Sequence, residues 1–375
     1  MRVREFEDFE TLKPFWDTLL KESLFGATIF STWEWQSTWW RHFGKKGKLM
    51  ILAVEDKNNI IGISPLMFSK YKLPVFGNVN KIEFISSKES DYSSFIFQQR
   101  GQECARLILD YLVKRKNSWD LIELKEIPEN LKKPDLVQTL RSIETKLHFK
   151  AKVCNLCPYL TLPLSFDSLR KNLYSRMQRN LKRRLKKICK DHRVQFMRFD
   201  EFGFSPKEAI ATLFKLNSAR WTSKNLPGAN VNYDFHFDLA ETLASRGWLG
   251  LYFLVADDVP VSAEYTFEYG RKIYAYLSGF DPDFSKYSVG HLAVLFLLER
   301  AIRHGFAEYD MLRGAEPYKL NWSNSWRKNY EVRLSKRNVI GECYNFFTWN
   351  SFLINISRKL NLSSQVVASD NVTRN

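Results

Sequence analysis

At 375 residues the chain is long for a single core, so two domains are expected; with 45% apolar and 15% aromatic residues it can bury both, which excludes a disordered chain. A formal net charge of +16 points to a partner or substrate carrying phosphates or carboxylates. No apolar run approaches the ~18 residues of a membrane span, the N-terminus MRVREFEDFETLKPFW has no signal-peptide core, and five scattered cysteines fit a reducing cytoplasm.

Residues 1–30 read as a helix with loops. Ser31 followed by Glu34 is a capping-box signature. It opens a helix carrying Trp33, Trp35, Trp39, Trp40 and Phe43, with Trp33, Trp40 and Phe43 on one face. This reads as a core helix; a base-stacking platform would need those rings exposed. Strands 48–54 and 60–68 flank the turn Asp56-Lys57-Asn58-Asn59 and make a hairpin. Strands at 82–85 and 92–97, a helix at 102–114, a strand at 120–124, a helix near 132–144 and strands near 149–153 and 159–162 complete an α/β or α+β domain over residues 1–164.

Between Ser165 and Asp200, 12 basic residues stand against three acids, a net +9 from one segment. Leu173, Met177, Leu181, Leu185 and Ile188 recur at helical spacing, so 165–192 is an amphipathic basic helix bridging two domains. The second domain, 193–338, repeats the first: a strand at 194–198, helices near 207–222 and 235–245, and a hairpin of 250–256 and 259–269 about Asp257-Asp258. A strand at 272–280, a helix from about 290 to 304 and strands at 308–312 and 329–335 follow. LYFLVADDVPVSAE (251–264) parallels ILAVEDKNNIIGISP (51–65), which implies two copies of one fold. Residues 339–375 read as an aromatic helix over 341–360 and a frayed tail.

The chemistry gathers between Tyr274 and Trp322. The loop Lys286-Tyr287-Ser288-Val289-Gly290-His291 opens an apolar helix, whose first N–H groups lack internal partners. Lys286 adds charge and Gly290 allows close backbone approach, so the loop suits a phosphate-bearing cofactor; capping of the helix by Ser288 accounts for the same residues. After the next strand, Glu316 can serve as a base, Tyr318 as an acid and Lys319 as an anion clamp, or all three can be surface charge on a loop. Glu264 is the one acid in the apolar strand VPVSAEYTF, which suits a general base if it is buried and means little if it faces solvent. Cys154-Asn155-Leu156-Cys157 has no second pair and no nearby histidine, so no metal is expected. The basic helix offers a solvated face or a site for a nucleic-acid backbone, a phosphosugar or an acidic membrane surface.

DDVPVSAEYTF, YAYLSGFDPDFSKYSVGHL and AEYDMLRGAEPYKLNW together resemble the GNAT-type acyltransferase domain of the CelD-like and FemAB-related families. Asp310, Gly314, Glu316, Tyr318, Lys319 and Trp322 fit its last motif, and the looser likeness spans about Phe30 to Arg337. The resemblance implies two GNAT folds in tandem, each a mixed twisted sheet flanked by helices. It implies acetyl-CoA or another acyl-CoA as donor, with Tyr265, Thr266 and the loop 286–291 as donor contacts and Asp310, Arg313 and Trp322 as substrate contacts. Of the family's loop glycines only Gly290 is kept. It implies direct transfer to an amine or hydroxyl of a sugar or cell-envelope polysaccharide precursor, with backbone N–H groups near Glu264–Thr266 holding the thioester carbonyl. An aminoacyl-tRNA donor bound through the basic helix 168–190, or a non-catalytic polyanion-binding module, are the alternatives.

Overall fold

A computed structural model describes residues 1–73, 77–115, 118–129, 135–143, 147–172, 175–222 and 232–336; the helix expected over 341–360 lies outside them. The first run of elements is β1 (Arg2–Phe6), α1 (Lys13–Lys21), α2 (Trp33–Phe43), β2 (Gly47–Asp56), β3 (Asn59–Leu73), β4 (Gly77–Phe84), β5 (Ile96–Phe97), α3 (Gly101–Lys114), β6 (Leu121–Pro128), α4 (Leu136–Arg141) and β7 (His148–Thr161). The second is α5 (Phe166–Asn172), α6 (Ser175–Asp191), β8 (Val194–Arg198), α7 (Pro206–Thr222), α8 (Tyr233–Ser245), β9 (Leu249–Ala256), β10 (Val259–Tyr269), β11 (Lys272–Phe280), α9 (Val289–Arg303), β12 (Glu308–Asp310), α10 (Pro317–Leu320) and β13 (Ser325–Ser335).

The duplication holds strand by strand. In the first run β1, β2, β3 and β4 pair antiparallel in turn and β4 pairs parallel with β6. In the second, β8, β9, β10 and β11 do the same and β11 pairs parallel with β12. Both hairpins turn on two residues at positive φ, Lys57-Asn58 and Asp257-Asp258, the tight turn whose twist matches paired strands. The sheet does not break near residue 164. Among the described residues it is one 13-stranded sheet in which each run's last strand sits beside the other run: β7 pairs with β12, β13 pairs with β6, and β7 and β13 pair with each other.

Strand alternation divides the core. Leu49, Ile51 and Ala53 of β2 and Leu249, Leu251, Phe253 and Val255 of β9 face one cluster, shared by α1, α2, α7 and α8. The intervening residues face α3 and α4 in the first half and α6 and α9 in the second. The tryptophan helix is a core helix, but its deepest rings are Trp35 and Trp39 rather than the face of Trp33, Trp40 and Phe43. Trp35 packs edge-on against Phe235 and Phe267, joining the two halves. Its helix is capped by Thr32, whose hydroxyl accepts from the Trp35 N–H at 3.3 Å; Ser31 sits one step outside in a 3-10 turn. The strands expected at 149–153 and 159–162 are the single strand β7, paired along both edges and running through Cys154 and Cys157. Burial pushes both thiols up, and no group of three or more metal-capable side chains occurs among the described residues.

A charged joint closes the sheet where the halves meet. Asp310 is fully buried and accepts from the Tyr92 hydroxyl at 2.8 Å, the Arg327 guanidinium at 2.8 Å and the Leu312 N–H at 2.9 Å. Tyr92 comes from the first run and Asp310 and Arg327 from the second. Arg313 pairs with Asp91 at 2.7 Å and Glu126 at 3.4 Å, both from the first run. Burial alone would neutralise these carboxyls, so each needs its cation. Arg327→Met is therefore expected to cost about 3–5 kcal/mol, read as a lower urea midpoint. Arg303→Met, at an exposed helix pair, should stay within about 0.5 kcal/mol. Equal midpoints for the two variants would show that the joint carries no such weight.

Candidate active site

Strands β11 and β12 pair only at Lys272–Glu308, Ile273–Tyr309 and Tyr274–Asp310. Beyond that β11 runs on to Phe280 along β10, while β12 ends and the chain turns away through Leu312, which adopts a φ of 59°. Parallel strands that part leave a wedge. Here it is a cavity of about 290 Å³, with walls from β11 (Ala275–Ser278 and Phe280), the first turn of α9 (Ser288–His291) and the segment after β12 (Met311, Tyr318, Trp322).

Three local features shape it. Tyr276 is an extra residue in the β10–β11 register, between Leu277 opposite Tyr265 and Ala275 opposite Thr266; at this bulge Tyr276 lines the cavity while its ring packs beside Trp35 and Phe267 and its hydroxyl donates to the Glu89 carbonyl at 3.3 Å. Gly279 lets α7 lie directly on β11: a Cβ there would collide with the Asn217 backbone, while the Asn217 amide donates to the Ser278 carbonyl at 2.7 Å. Ser288 precedes α9 in the left-handed region (φ 56°, ψ 46°) and makes no side-chain cap. The His291 and Leu292 N–H groups bond the Ser288 carbonyl, and those of Val289 and Gly290 make no backbone hydrogen bond to the described turn before the helix. This gives the α9 terminus two directed donors and the positive end of its dipole.

Glu264 is 5% exposed and lines the cavity. Its neighbours Ala263 and Tyr265 belong to the opposite core, so alternation along β10 turns it toward α9. Tyr309 is buried beside it. That burial, then the nearby Glu264 carboxylate and Tyr318, pushes the Tyr309 hydroxyl well above its ordinary range. Tyr318 is 45% exposed at the mouth. The Trp322 indole N–H donates to His291 Nδ1 at 3.2 Å, and burial holds the His291 pKa below its ordinary value.

Of the residues expected from the sequence, the cavity thus collects Glu264, Ser288, Val289, Gly290, His291, Tyr318 and Trp322. The others lie elsewhere. Tyr265 is buried on the α8 face and the Thr266 hydroxyl donates to the Gly250 carbonyl at 2.9 Å, because β10 is paired along both edges; the strand that splays is β11. Tyr287 turns inward and donates to Asp191 of the basic helix at 2.7 Å, and the exposed Lys286 ammonium stands over the Tyr287 ring. Asp310 and Arg313 form the joint between the halves. Glu316 is exposed and pairs with Lys319 at 2.9 Å, and Lys319 also donates to the Arg313 carbonyl at 2.8 Å, bracing the turn at Gly314. Sequence reasoning passed over Tyr276, Ser278, Tyr309 and Met311, although alternate residues of a strand leading into a helix-opening loop were the available signal.

Residues 175–320 match the acetyltransferase (GNAT) domain family. Over these residues the second half is similar to a GNAT-type acetyltransferase domain. The match runs from α6 to α10, so every cavity-lining residue but Trp322 lies within the matched segment, while the strands β7 and β13 lie outside it. No curated protein matches the chain by sequence. Among solved structures it is similar to FemX, at a TM-score of 0.62 and 12% identity over 88% of this chain and 97% of that one. It is also similar to a conserved protein of unknown function from Bacteroides thetaiotaomicron (TM-score 0.53, 8% identity, 89% and 100% covered). A third is the C-terminal domain of a putative lysylphosphatidylglycerol synthetase from Agrobacterium fabrum (TM-score 0.52, 9% identity, 88% and 93% covered). At these identities the likeness is one of fold. No helix among the described residues is long and apolar enough to cross a membrane.

Two glycines, Gly290 lining the cavity and Gly279 under α7, separate binding from packing. A Cβ on Gly290 would meet only the Phe280 ring edge, at 3.8 Å. Gly290→Ala should therefore leave stability within about 0.5 kcal/mol. Gly279→Ala should lose about 1–3 kcal/mol, because helix backbone cannot yield as a flexible side chain can. Chemical denaturation of both variants checks this, and a destabilised Gly290→Ala would mean that the protein itself fills the space beside the loop.

Proposed function

We propose that the cavity binds acyl-CoA and passes its acyl group directly to an amine or hydroxyl of a sugar or cell-envelope polysaccharide precursor in the cytoplasm, as in CelD-like and FemAB-related proteins. One observation carries this reading: a buried carboxylate, an exposed phenol and a helix N-terminus line a single cavity between two diverging strands. The loop 286–291 and the free N–H groups of α9 suit the donor's pyrophosphate. Glu264 takes the acceptor's proton as its nucleophile attacks the thioester carbonyl carbon, and Tyr318 protonates the departing thiolate. Glu264 is preferred to Glu316 as the base because Glu316 is exposed, paired with Lys319 and outside the cavity. Direct attack needs no enzyme nucleophile, and no cysteine lines the cavity.

A second donor, aminoacyl-tRNA, is favoured by one observation. The basic helix α6 packs against the loop before α9: Arg184 donates to the Lys286 carbonyl, and the Lys187 ammonium lies 5.5 Å from the centre of the Tyr287 ring. A polyanion held on α6 would reach the cavity mouth.

Glu264→Gln and Tyr318→Phe should each lower kcat/KM by about 10²–10⁴-fold, measured as thiol release from acetyl-CoA in the presence of a panel of amino sugars. Undiminished rates in both variants would remove this mechanism. Absence of thiol release with every acceptor, together with tRNA binding that weakens steeply with salt, would shift the donor to aminoacyl-tRNA.

A further inference from the structure

His291 is the third residue of α9, and its ring lies beside Trp322 with centroids 6.1 Å apart. The indole N–H is a donor only. The 3.2 Å bond from Trp322 Nε1 to His291 Nδ1 therefore requires a lone pair on Nδ1, which leaves the ring proton on Nε2. Nε2 makes no hydrogen bond to any described residue, although His291 lines the cavity. A donor with a fixed proton and no partner among the described residues is one left for a ligand.

Protonating this ring would cost more than its burial alone. It would remove the acceptor of Trp322 and place a cation at the positive end of the α9 dipole. The other titratable groups lining the cavity are Glu264 of β10, Tyr276 of β11, Tyr309 of β12 and Tyr318 of α10, and no lysine or arginine joins them. Burial lowers the His291 pKa in the same direction. An imidazole kept neutral cannot supply a proton outright as a strong acid does, but it can hydrogen-bond to an oxygen that gains charge.

We propose that His291 Nε2–H is the hydrogen-bond donor to the acyl carbonyl oxygen, stabilising the oxyanion formed when the acceptor attacks, with Trp322 as the positioning residue that fixes the tautomer. The proposal rests on the acyl-transfer reading above. The acceptor's lone pair forms the new bond to the carbonyl carbon, the carbonyl π pair moves to oxygen, and Glu264 takes the acceptor's proton. Collapse re-forms the carbonyl and breaks the C–S bond, and the thiolate takes its proton from Tyr318. The Nε2 proton stays on His291 throughout, so the donor is unspent after each turnover.

The test is ¹⁵N NMR of the histidine rings in the full chain, with and without S-acetonyl-CoA, a non-cleavable ketone analogue of acetyl-CoA, followed by kinetics. At pH 7 the His291 proton is expected on Nε2, with the Nε2–H signal moving downfield when the analogue binds; Trp322→Phe should abolish the tautomer preference. His291→Phe should lower kcat about 10²–10³-fold, with KM for acetyl-CoA within about twofold. His291→Gln retains an N–H donor and should recover to within about tenfold of wild type. A proton on Nδ1, or a His291→Phe variant whose kcat falls less than about threefold, overturns the proposal. An analogue that binds without moving the Nε2–H signal overturns it alone; an analogue that fails to bind overturns it together with the acyl-CoA reading.

Discussion

Strand β11 leaves β12 after three residue pairs, and the cavity exists because of that parting. Neighbouring strands normally stay joined, since an unpaired backbone group shut away from water costs as much as a lost hydrogen bond. Here both strands are held from outside the wedge. β11 is bonded to β10 as far as Phe280 and pinned by α7 at Gly279; β12 is bonded to β7 and anchored through Asp310. The backbone edge freed beyond Tyr274 then faces the cavity, together with the two free N–H groups of α9. Polar groups that a closed sheet would have consumed are available to a ligand, already oriented and at no further cost in ordering.

Two buried carboxylates show how one physical constraint serves different ends. Asp310 and Glu264 are each at most 5% exposed. Asp310 is met by a guanidinium, a phenol and a backbone N–H, and it fastens one half of the sheet to the other. Glu264 looks into the cavity, with the phenols of Tyr309 and Tyr318 nearby. Arg313 belongs with Asp310: its three-way contact to Asp91, Glu126 and the Lys88 carbonyl makes it part of the scaffold on which the cavity stands.

Much of this was legible in the sequence. The two hairpins announced themselves by acidic or amide turns between apolar strands, and the duplicated pattern foretold the duplicated fold. The loop before α9 and Glu264 were found from residue type alone. What failed to show was pairing between distant segments. Asp310-Met311-Leu312-Arg313 reads as a charged loop whether its charges meet substrate or each other, because partners such as Tyr92 and Arg327 are remote in sequence. The run Cys154-Asn155-Leu156-Cys157-Pro158 suggested an interruption, yet a strand with neighbours on both edges carries even a proline. Strand exchange leaves no local trace at all: β7 and β13 carry the same pattern whichever half they join.

The exchange also dictates when the molecule can be completed. β13 lies between β6 and β7, two strands that precede it by well over a hundred residues, and β7 in turn supplies the neighbour of β12. During synthesis the first half emerges with a gap in its sheet that nothing yet made can fill. β6 and β7 must wait with open edges until the last described strand leaves the ribosome. The frame is therefore completed only once β13 has been made, and a nascent chain stopped before Ser325 holds every cavity-lining residue without the frame that spaces them.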